Sequence, residues 1–364
     1  MSSIKFHTNF TLNGKSFKSV RELLDFASTI SNDIFAFLTC WFEDDDFIIV
    51  KTSGSTGTPT NIQLKKEYMV NSAMATGNYF ELAENTKALL CLSPAYIAGK
   101  MMLVRAMMLG WHLDVVETSS HPLEDTERTY DFCAMVPLQL SNSLSKLDQI
   151  KKLIVGGAAV SNELIEKLQD ISTRVYATYG MTETITHIAI KPLNNFDNVI
   201  SNECEKSIFS RTEFYYNILP NVKISKDVRD CLIIDAPKVS DKQIITNDVV
   251  KLISDTEFEW LGRYDTIINS GGVKLIPEQI EKKLAAVIDK RFFVAGIPDE
   301  LLGEKMVLII EDEKSDNVIS NKVKNLNTLD KFEVPKEIFF IKKFVETDTK
   351  KIQRQKTLDL IFKN

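Results

Sequence analysis

The sequence has few cysteines, and they are not arranged as a metal site or a disulfide framework. Cys40, Cys91, Cys133, Cys204 and Cys231 are odd in number and widely separated, with no C-x-x-C pair. Zinc sites and disulfide-rich secreted folds both need closely spaced or paired cysteines. We therefore expect reduced, buried thiols in a cytoplasmic protein.

The sequence also lacks a membrane-spanning run, a basic excess and internal repeats. Its most apolar segment, residues 88–116, is interrupted by Lys100 and Arg105, which predicts buried strand and helix rather than a membrane span. The first eleven residues show no positive region followed by an apolar stretch, so no signal peptide is predicted. The net charge of −6 argues against nucleic acid as the main partner. A small-molecule substrate is expected instead.

The sequence has 364 residues, which is longer than a chain that usually folds around one hydrophobic core. Two or more domains are therefore expected. Short apolar runs at 89–92, 132–136, 153–155 and 175–178 alternate with helical patterns. This alternation predicts an α/β fold in which a large N-terminal domain, residues 1–264, contains layered and mostly parallel sheets.

The pattern changes in the last part of the chain. Residues from about 202 to 260 contain short strands with turn signals, which predicts a small β-rich part of the N-terminal domain. Further on, Pro277 can begin a helix whose apolar residues recur at helical spacing, and two strand-like runs follow. We expect residues 265–364 to form a smaller α+β C-terminal domain.

The first segment suited to chemistry is rich in small hydroxylated residues and glycine. It runs over Thr52, Ser53, Gly54, Ser55, Thr56 and Gly57, and continues to Thr60. Such a loop can bring backbone N–H groups and hydroxyls close to phosphate oxygens. It is not a Walker A loop, because no Gly-Lys-Ser/Thr ends it. A solvated surface loop is the alternative interpretation.

The second segment, Tyr179-Gly180-Met181-Thr182-Glu183-Thr184, directly follows an apolar strand. Ligands of doubly wound sheets bind beyond the carboxyl ends of the strands. A ring, a hydroxyl and a carboxylate there can stack on a base, contact a phosphate and hold Mg²⁺. The alternative is a helix N-terminus that Thr182 caps.

The third and fourth segments are less specific. Residues 260–265 run into Ser270-Gly271-Gly272, and the glycines suit a mobile junction, although a salt-bridged turn is the alternative. Residues 347–354 are basic, and taken alone they favour a solvated face.

Taken in order, these segments resemble the motifs of the adenylate-forming superfamily, which includes acyl–CoA synthetases, carrier-protein adenylation domains and luciferases. The resemblance covers the phosphate loop at 52–60, the aromatic-Gly-x-Thr-Glu motif at 179–184, the Thr-Gly-Asp motif at 246–248, the hinge motif at 262–281 and the C-terminal lysine motif at 351–354. Within the superfamily, residues 270–277 and 94–99 most resemble the o-succinylbenzoate–CoA ligases of menaquinone biosynthesis.

The resemblance implies a two-step reaction that uses ATP, Mg²⁺ and coenzyme A. The substrate carboxylate attacks the α-phosphate of ATP to give acyl-AMP and pyrophosphate, and the CoA thiol then displaces AMP. By resemblance, Lys351 bridges the carboxylate and the α-phosphate, Thr182 contacts that phosphate, and Glu183 holds the metal. Lys351 and Mg²⁺ would then neutralise the negative charge of the substrate carboxylate and of the ATP phosphates.

The resemblance assigns the other sites residue by residue. The ribose site is Asp248 with Arg263, and the C-terminal domain rotates about Asp265 between the two steps. The remaining assignments are Gly156, Gly157, Ala158, Tyr179 and Gly180 for the adenine side, Gly271 and Gly272 for the CoA channel, and Tyr96, Ile97, Gly99 and Thr184 for the acyl pocket.

The sequence departs from the family pattern at several positions. Thr60 stands where the phosphate loop usually has lysine, and Lys65 or Lys66 is a candidate substitute. Asn247 replaces the middle glycine of Thr-Gly-Asp, which is expected to be tolerated because asparagine accepts left-handed geometry. Lys350 replaces the glycine before Lys351, so either lysine is a candidate for the acting one.

The phosphate loop also begins at residue 52, where family members carry a further subdomain in front of it. Three functions are therefore compared. The first is the acid–CoA ligase, the second is an adenylation enzyme that loads a carrier protein, and the third is a non-catalytic nucleotide-binding homologue. A homodimer is compatible with each of them.

Overall fold

The structure is a computed structural model, and it describes residues 5–51, 60–194, 215–313, 317–347 and 352–362. The described residues form two compact units. The first unit holds the residues up to 51, those between 60 and 223, and residues 235–244; the second holds residues 224–234 and the described residues from 245 onward. Within these ranges, no helix has the length and apolar character needed to cross a membrane.

The first unit is built from strands and helices that alternate along the chain. Its strands are β1 Thr11–Leu12, β2 Lys15–Ser16, β3 Phe47–Lys51, β4 Asn61–Lys65, β5 Lys87–Leu90, β6 His112–Val115, β7 Tyr130–Met135, β8 Ile150–Val155, β9 Arg174–Gly180, β10 His187–Pro192 and β11 Tyr216–Ile218. Its helices are α1 Val20–Ile30, α2 Asn32–Phe42, α3 Lys66–Tyr79, α4 Ile97–Leu109, α5 Pro137–Asn142 and α6 Asn162–Leu168.

Most of these strands form one sheet, in the order β11-β10-β9-β8-β7-β5-β6-β1-β2. The strands from β9 to β1 in this order pair parallel with their neighbours. The pairs β9–β10, β10–β11 and β1–β2 are antiparallel. The predicted α/β fold with a mostly parallel sheet is therefore confirmed.

The sheet is buried on both faces, which explains why residues 132–135 of β7 and 153–155 of β8 are continuously apolar rather than alternating. Phe132 of β7 belongs to a core that includes Met69 of α3 and Val104 of α4. Its neighbour Cys133 points to the other core, which includes Leu164 of α6. Successive residues of one strand therefore pack against the helices on opposite faces of the sheet.

The second unit holds the elements that follow in the chain. Its strands are β12 Lys223–Lys226, β13 Cys231–Asp235, β14 Ile244–Leu252, β15 Glu257–Arg263, β16 Ile268–Ser270, β17 Val273–Leu275, β18 Phe292–Asp299, β19 Gly303–Glu311 and β20 Glu337–Ile341. Its helices are α7 Pro277–Leu284, α8 Asn317–Lys324 and α9 Arg354–Phe362.

Two groups of strands organise the second unit. Strands β12 to β15 are neighbours in chain order and supply short strands of the predicted β-rich part. The others form a sheet in the order β17-β16-β19-β18, with β20 parallel to β19. Ile280 and Leu284 of α7 pack on Val294 and Leu308 of this sheet. The described residues on both sides of 265 lie in one compact unit, and the division at 265 stays a prediction.

Candidate active site

Two predicted site segments lie outside the described residues. They are residues 52–59 of the phosphate loop, and Lys350 with Lys351 near the C-terminus. The structure does place the strands on either side of the loop. β3 and β4 pair antiparallel, and Lys51 lies opposite Asn61. The two ends of the predicted loop are therefore held side by side.

Other predicted segments meet at the carboxyl edge of the parallel sheet. β5, β7, β8 and β9 are parallel neighbours, so their carboxyl ends lie at the same edge. The β5–α4 connection leads to Tyr96, and Gly156 follows β8 directly. Tyr179 lies near the end of β9, half-buried, with its ring 5.8 Å from that of Tyr216. This edge is where α/β sheets bind ligands.

Glycines at this edge are required by close approach or by backbone conformation. A Cβ on Gly156 would lie 2.6 Å from the Thr178 hydroxyl, and Gly157 has a φ of +86°. A Cβ on Gly180 would lie 2.1 Å from the carbonyl oxygen of Thr186. The Gly of the Tyr179–Thr184 motif therefore lets the chain turn back tightly after β9.

The residues after Gly180 form a short 3₁₀ turn over Thr182–Thr184. Thr184 is buried, its hydroxyl accepts from the Met181 backbone N–H at 3.0 Å, and it lies 2.6 Å from the Thr186 carbonyl oxygen, to which it donates. Ile185 follows with a φ of +67°, a strained conformation for a β-branched residue. Thr184, predicted for the acyl pocket, thus uses its hydroxyl within the turn.

Glu183 is exposed at this turn, beside the half-buried Thr182. Across the described ranges, no cluster of three or more His, Cys, Asp and Glu side chains is suited to hold a metal by itself. Mg²⁺ in nucleotide sites is commonly held by one or two carboxylates together with substrate phosphates and water. A single free-standing carboxylate such as Glu183 fits that kind of site.

Asp248 and Arg263 face each other across the antiparallel pair β14–β15. Asp248 is nearly buried, and its Oδ1 accepts a hydrogen bond from Trp260 Nε1 at 3.1 Å. Arg263 Nη1 lies 3.7 Å from the same oxygen. The structure therefore brings the predicted ribose-binding pair together and fixes the orientation of the carboxylate.

Arg263 also forms a bidentate pair with Asp265, with both N···O distances at 3.0 Å. These hydrogen bonds are the main reason that the pKa of Asp265 is lowered. The predicted hinge residue is thus tied directly to the predicted ribose site.

The predicted left-handed geometry at Asn247 is wrong. Asn247 lies within strand β14 and is not among the residues with positive φ. Its side-chain oxygen accepts from Arg229 Nη1 at 3.0 Å, and Arg229 Nη2 donates to the Thr246 carbonyl at 3.2 Å. The guanidinium lies 5.0 Å from the centre of the Tyr264 ring. An asparagine fits here because the backbone is extended at this position and the side-chain amide has a partner.

The predicted CoA-channel glycines form a tight hairpin turn. Gly271 and Gly272 have φ values of +58° and +84°, and they join β16 to β17 with Ser270 opposite Val273. Two positive φ values in a two-residue hairpin are typical of a type I′ turn, for which Gly-Gly is suited.

The other residues predicted for the acyl pocket lie between β5 and α4. Tyr96 is 46% exposed and Ile97 begins α4. A Cβ on Gly99 would lie 2.4 Å from the Ser93 carbonyl oxygen. Gly99 is therefore required by the packing of the connection against the helix.

Lys66 is not a substitute for the missing loop lysine, and that suggestion is wrong. Its ammonium is buried and donates to the Glu43 carbonyl at 2.7 Å, at the end of α2. Lys65 is engaged as well, with its Nζ 2.7 Å from Asp241 Oδ1. Tyr68 also donates to that carboxylate.

Sequence reasoning missed Arg105, which lies in α4 and is 2% exposed. Its Nε donates to the Thr76 hydroxyl at 3.2 Å, and its Nη2 donates to the Thr186 hydroxyl at 3.4 Å. Within the described part of the chain, no Asp or Glu forms an ion pair with it. Burial lowers the pKa of Arg105 to about 10, so it is still a cation at neutral pH. An arginine between apolar residues in the second half of a helix was the available signal.

The two hydroxyls that accept from Arg105 are close to residues that line a cleft. The Ser72 hydroxyl lies 2.8 Å from that of Thr186, and His187 Nε2 lies 3.5 Å from the Thr76 hydroxyl. Burial, with a smaller effect of Arg105, lowers the pKa of His187 to about 3 and keeps the ring neutral. Ser72 and His187 line a cleft of about 220 Å³ between α3, β10 and residues 219–222 and 236–239.

Comparisons with known proteins agree with this geometry. A model of the AMP-binding enzyme family matches residues 28–212, about half of the chain. The 2-succinylbenzoate–CoA ligase of Escherichia coli (strain K12) is 24% identical over 288 residues, and the match covers 75% of this chain and 60% of that protein. The enzyme of the same name from Staphylococcus epidermidis (strain ATCC 35984) is 24% identical over 335 residues, covering 85% and 68%.

Solved structures are also similar. An acyl-CoA synthetase (AMP-forming)/AMP-acid ligase II-like protein from Dyadobacter fermentans is 36% identical, with a TM-score of 0.57 and coverage of 90% of this chain and 93% of that one. The o-succinylbenzoate coenzyme A synthetase of Bacillus subtilis, in complex with ATP and magnesium ion, is 18% identical, with a TM-score of 0.69 and coverage of 94% and 82%. At this identity the second likeness shows the fold alone.

The family model spans about half of the chain, and the Dyadobacter protein is matched over almost its whole length. This chain belongs to the AMP-binding enzyme family, whose members include AMP-forming acid–CoA ligases.

Proposed function

We propose that this chain is an ATP-dependent acid–CoA ligase for o-succinylbenzoate in menaquinone biosynthesis. The acid and ATP form an acyl-adenylate and pyrophosphate, and the CoA thiol then displaces AMP to give the thioester. Family membership supports the reaction class, and relatives named 2-succinylbenzoate–CoA ligase support the acid at about one quarter identity.

One observation carries the choice of acid: Arg105 is a buried cation whose hydrogen-bond partners among the described residues are two hydroxyls and a thioether. Burying a cation without a counter-charge is costly, so such a site gains most by binding an anion. o-Succinylbenzoate has two carboxylates, of which one is activated and the other stays free. The free carboxylate is the anion that Arg105 would bind, approached through the cleft lined by Ser72 and His187.

In this proposal the nucleotide-binding roles are those that the resemblance assigns. Asp248 accepts hydrogen bonds from the ribose hydroxyls, with Arg263 beside it. Gly156, Gly157, Ala158 and Tyr179 flank adenine, because the two glycines let a flat ring approach the backbone closely. Thr182 donates to the α-phosphate. Mg²⁺ held by Glu183 would neutralise phosphate charge when bound.

The second step needs a different arrangement of the chain. Lys351 would hold the carboxylate against the α-phosphate in the first step and withdraw for the second. The proposed movement is a rotation of residues 265–364 about Asp265, with the Gly271-Gly272 turn brought to the pantetheine arm. Both glycines leave room for a narrow thiol channel.

The test is a pyrophosphate-release assay with ATP, Mg²⁺ and a panel of acids, run with and without CoA. The informative pair is o-succinylbenzoate and 4-oxo-4-phenylbutanoate, which lacks only the aromatic carboxylate. We expect turnover of the first to exceed that of the second by about 10²-fold in kcat/KM, the effect of one charge-assisted hydrogen-bonded anchor. Equal turnover of both acids would contradict the assigned acid, and pyrophosphate without acyl-CoA would indicate a carrier-protein acceptor.

A further inference from the structure

The last helix, α9, begins at Arg354, whose guanidinium is held by two carboxylates of α7. Arg354 Nη2 lies 2.9 Å from Glu281 Oε2, and Nη1 lies 3.8 Å from Glu278 Oε1. The guanidinium also lies 5.7 Å from the centre of the Phe293 ring. Arg354 therefore joins α9 to α7 and to strand β18 through one side chain.

Both carboxylates are in turn fixed by other elements. Glu281 Oε1 accepts from the Val294 backbone N–H at 2.7 Å. Glu278 Oε1 accepts from the Thr266 hydroxyl at 3.0 Å, and its Oε2 lies 2.4 Å from where a Cβ of Gly262 would be. Thr266 is the residue next to Asp265. A continuous set of polar contacts therefore runs from the predicted hinge through α7 to Arg354.

The two residues just before Arg354 pair with residues 345 and 346. Glu346 and Ile352 pair antiparallel, and the Gln353 backbone N–H donates to the Val345 carbonyl at 2.8 Å. Gln353 Nε2 also donates to the Glu346 carbonyl at 3.0 Å. Both flanks of residues 347–351 are thus joined within two residues of Arg354.

We propose that Arg354 is a positioning residue for the adenylation step. It anchors the closed base, which is the pairing of residues 345–346 with residues 352–353 on either side of Lys351, to α7 and, through Glu278, to Thr266 beside the hinge. The inference rests on the proposed function, in which Lys351 acts on the carboxylate and the α-phosphate. In this proposal Arg354 acts through the residues that flank Lys351.

The charges around Arg354 make this contact hard to replace. The side chains of Glu278 and Glu281 are 12% and 18% exposed, and they lie one helical turn apart. Burial raises the pKa of Glu281 to about 7, and Arg354 opposes that rise. Without the guanidinium, the contacts that join α9 to Glu278 and Glu281 are lost, so residues 352 and 353 are held less firmly against α7. A displacement of about 1 Å at a reacting group can cost about 10²-fold in rate.

The experiment compares Arg354→Gln and Arg354→Lys with Lys283→Gln in the full chain. Lys283 lies on the same helix and forms a 2.5 Å ion pair with Glu333, so its variant removes an α7 ion pair away from the loop. Adenylation is measured as pyrophosphate release with ATP and o-succinylbenzoate. Thioester formation is measured separately from synthetic o-succinylbenzoyl-adenylate and CoA. Hydrogen exchange at the Gln353 amide reports the closed base directly.

We expect Arg354→Gln to lower adenylation about 10- to 100-fold, with thioester formation within about twofold of the wild type. Exchange at Gln353 should be about 10-fold faster, with partial recovery in Arg354→Lys and no change in Lys283→Gln. An equal fall in both half-reactions, or an Arg354→Gln protein that behaves like Lys283→Gln, would overturn the proposal. If the wild type does not turn over o-succinylbenzoate, the proposed acid fails, and the exchange comparison alone supports or overturns the role of Arg354.

Discussion

Arg105 offers the sharpest test of the proposed acid, through the substitution Arg105→Gln. The guanidinium is 2% exposed, so a carboxylate that reaches it is shielded from water. Hydrogen bonds to a charged partner contribute about 1.5–3 kcal/mol, which corresponds to about 10- to 150-fold in affinity. We therefore expect kcat/KM for o-succinylbenzoate to fall about 10²-fold, with little change for 4-oxo-4-phenylbutanoate.

The same substitution should leave the folded protein intact. Thr76 Oγ1 still donates to the Ser72 carbonyl at 3.0 Å, and the Thr186 hydroxyl still pairs with that of Ser72 at 2.8 Å. No hydroxyl is therefore orphaned when the guanidinium is removed. Because a buried cation without a counter-charge is lost, the free energy of unfolding should stay within about 1 kcal/mol of the wild type or rise.

The assay measures initial rates of pyrophosphate release for both acids, together with thermal unfolding. Arg128→Gln is the control, since Arg128 is an exposed cation that pairs with Asp114 at 2.8 Å away from α4. The reasoning is refuted if Arg105→Gln keeps its preference for o-succinylbenzoate, or if it loses activity equally on both acids with a lower melting temperature.

Three further predictions concern other residues of the site. Asp248→Asn should raise KM for ATP about 10- to 100-fold at nearly unchanged stability, because the amide keeps the shape but loses the charge; an unchanged KM in steady-state kinetics would remove Asp248 from the nucleotide site. Gly180→Ala should lower the free energy of unfolding by about 3 kcal/mol, measured in urea, because its Cβ would lie 2.1 Å from the Thr186 carbonyl; a shift under about 1 kcal/mol would contradict that packing. For His187, the pKa is lowered from 6.5 to about 3, so the unfolded chain takes up the proton first and stability falls as pH decreases below 6.5. His187→Gln should lose about 1.5 kcal/mol less than the wild type between pH about 6.5 and pH about 5, and parallel pH profiles would show that the ring is not buried as a neutral group.

Features that depend on local pattern were predictable from the sequence. The short apolar runs at 132–136 and 153–155, which alternate with helical patterns, indicated an α/β fold with a mostly parallel sheet, and they lie in β7 and β8. Gly271-Gly272 indicated a junction, and the structure resolves it as a tight turn that needs two positive φ values. The family membership followed from motif order and is confirmed by the comparisons.

Features that depend on what packs around a side chain were not predictable. Lys66 follows Lys65 directly in a basic pair, yet the fold buries its ammonium on the Glu43 carbonyl. Thr184 belongs to a motif that suits ligand contact, yet its hydroxyl closes a backbone turn. In each case the partner is a backbone atom whose position depends on how the chain folds around it.

The sequence by itself determined the fold class, because the alternation of strands and helices is visible in local periodicity. It also determined the order of the motifs, and their resemblance to a known family implied acyl-adenylate chemistry. The tertiary structure alone decided that Arg105 is a buried cation without a carboxylate partner among the described residues, and that Arg354 is held by two glutamates of α7. Such pairings join elements distant in sequence, and whether a charge is compensated depends on every element that packs around it.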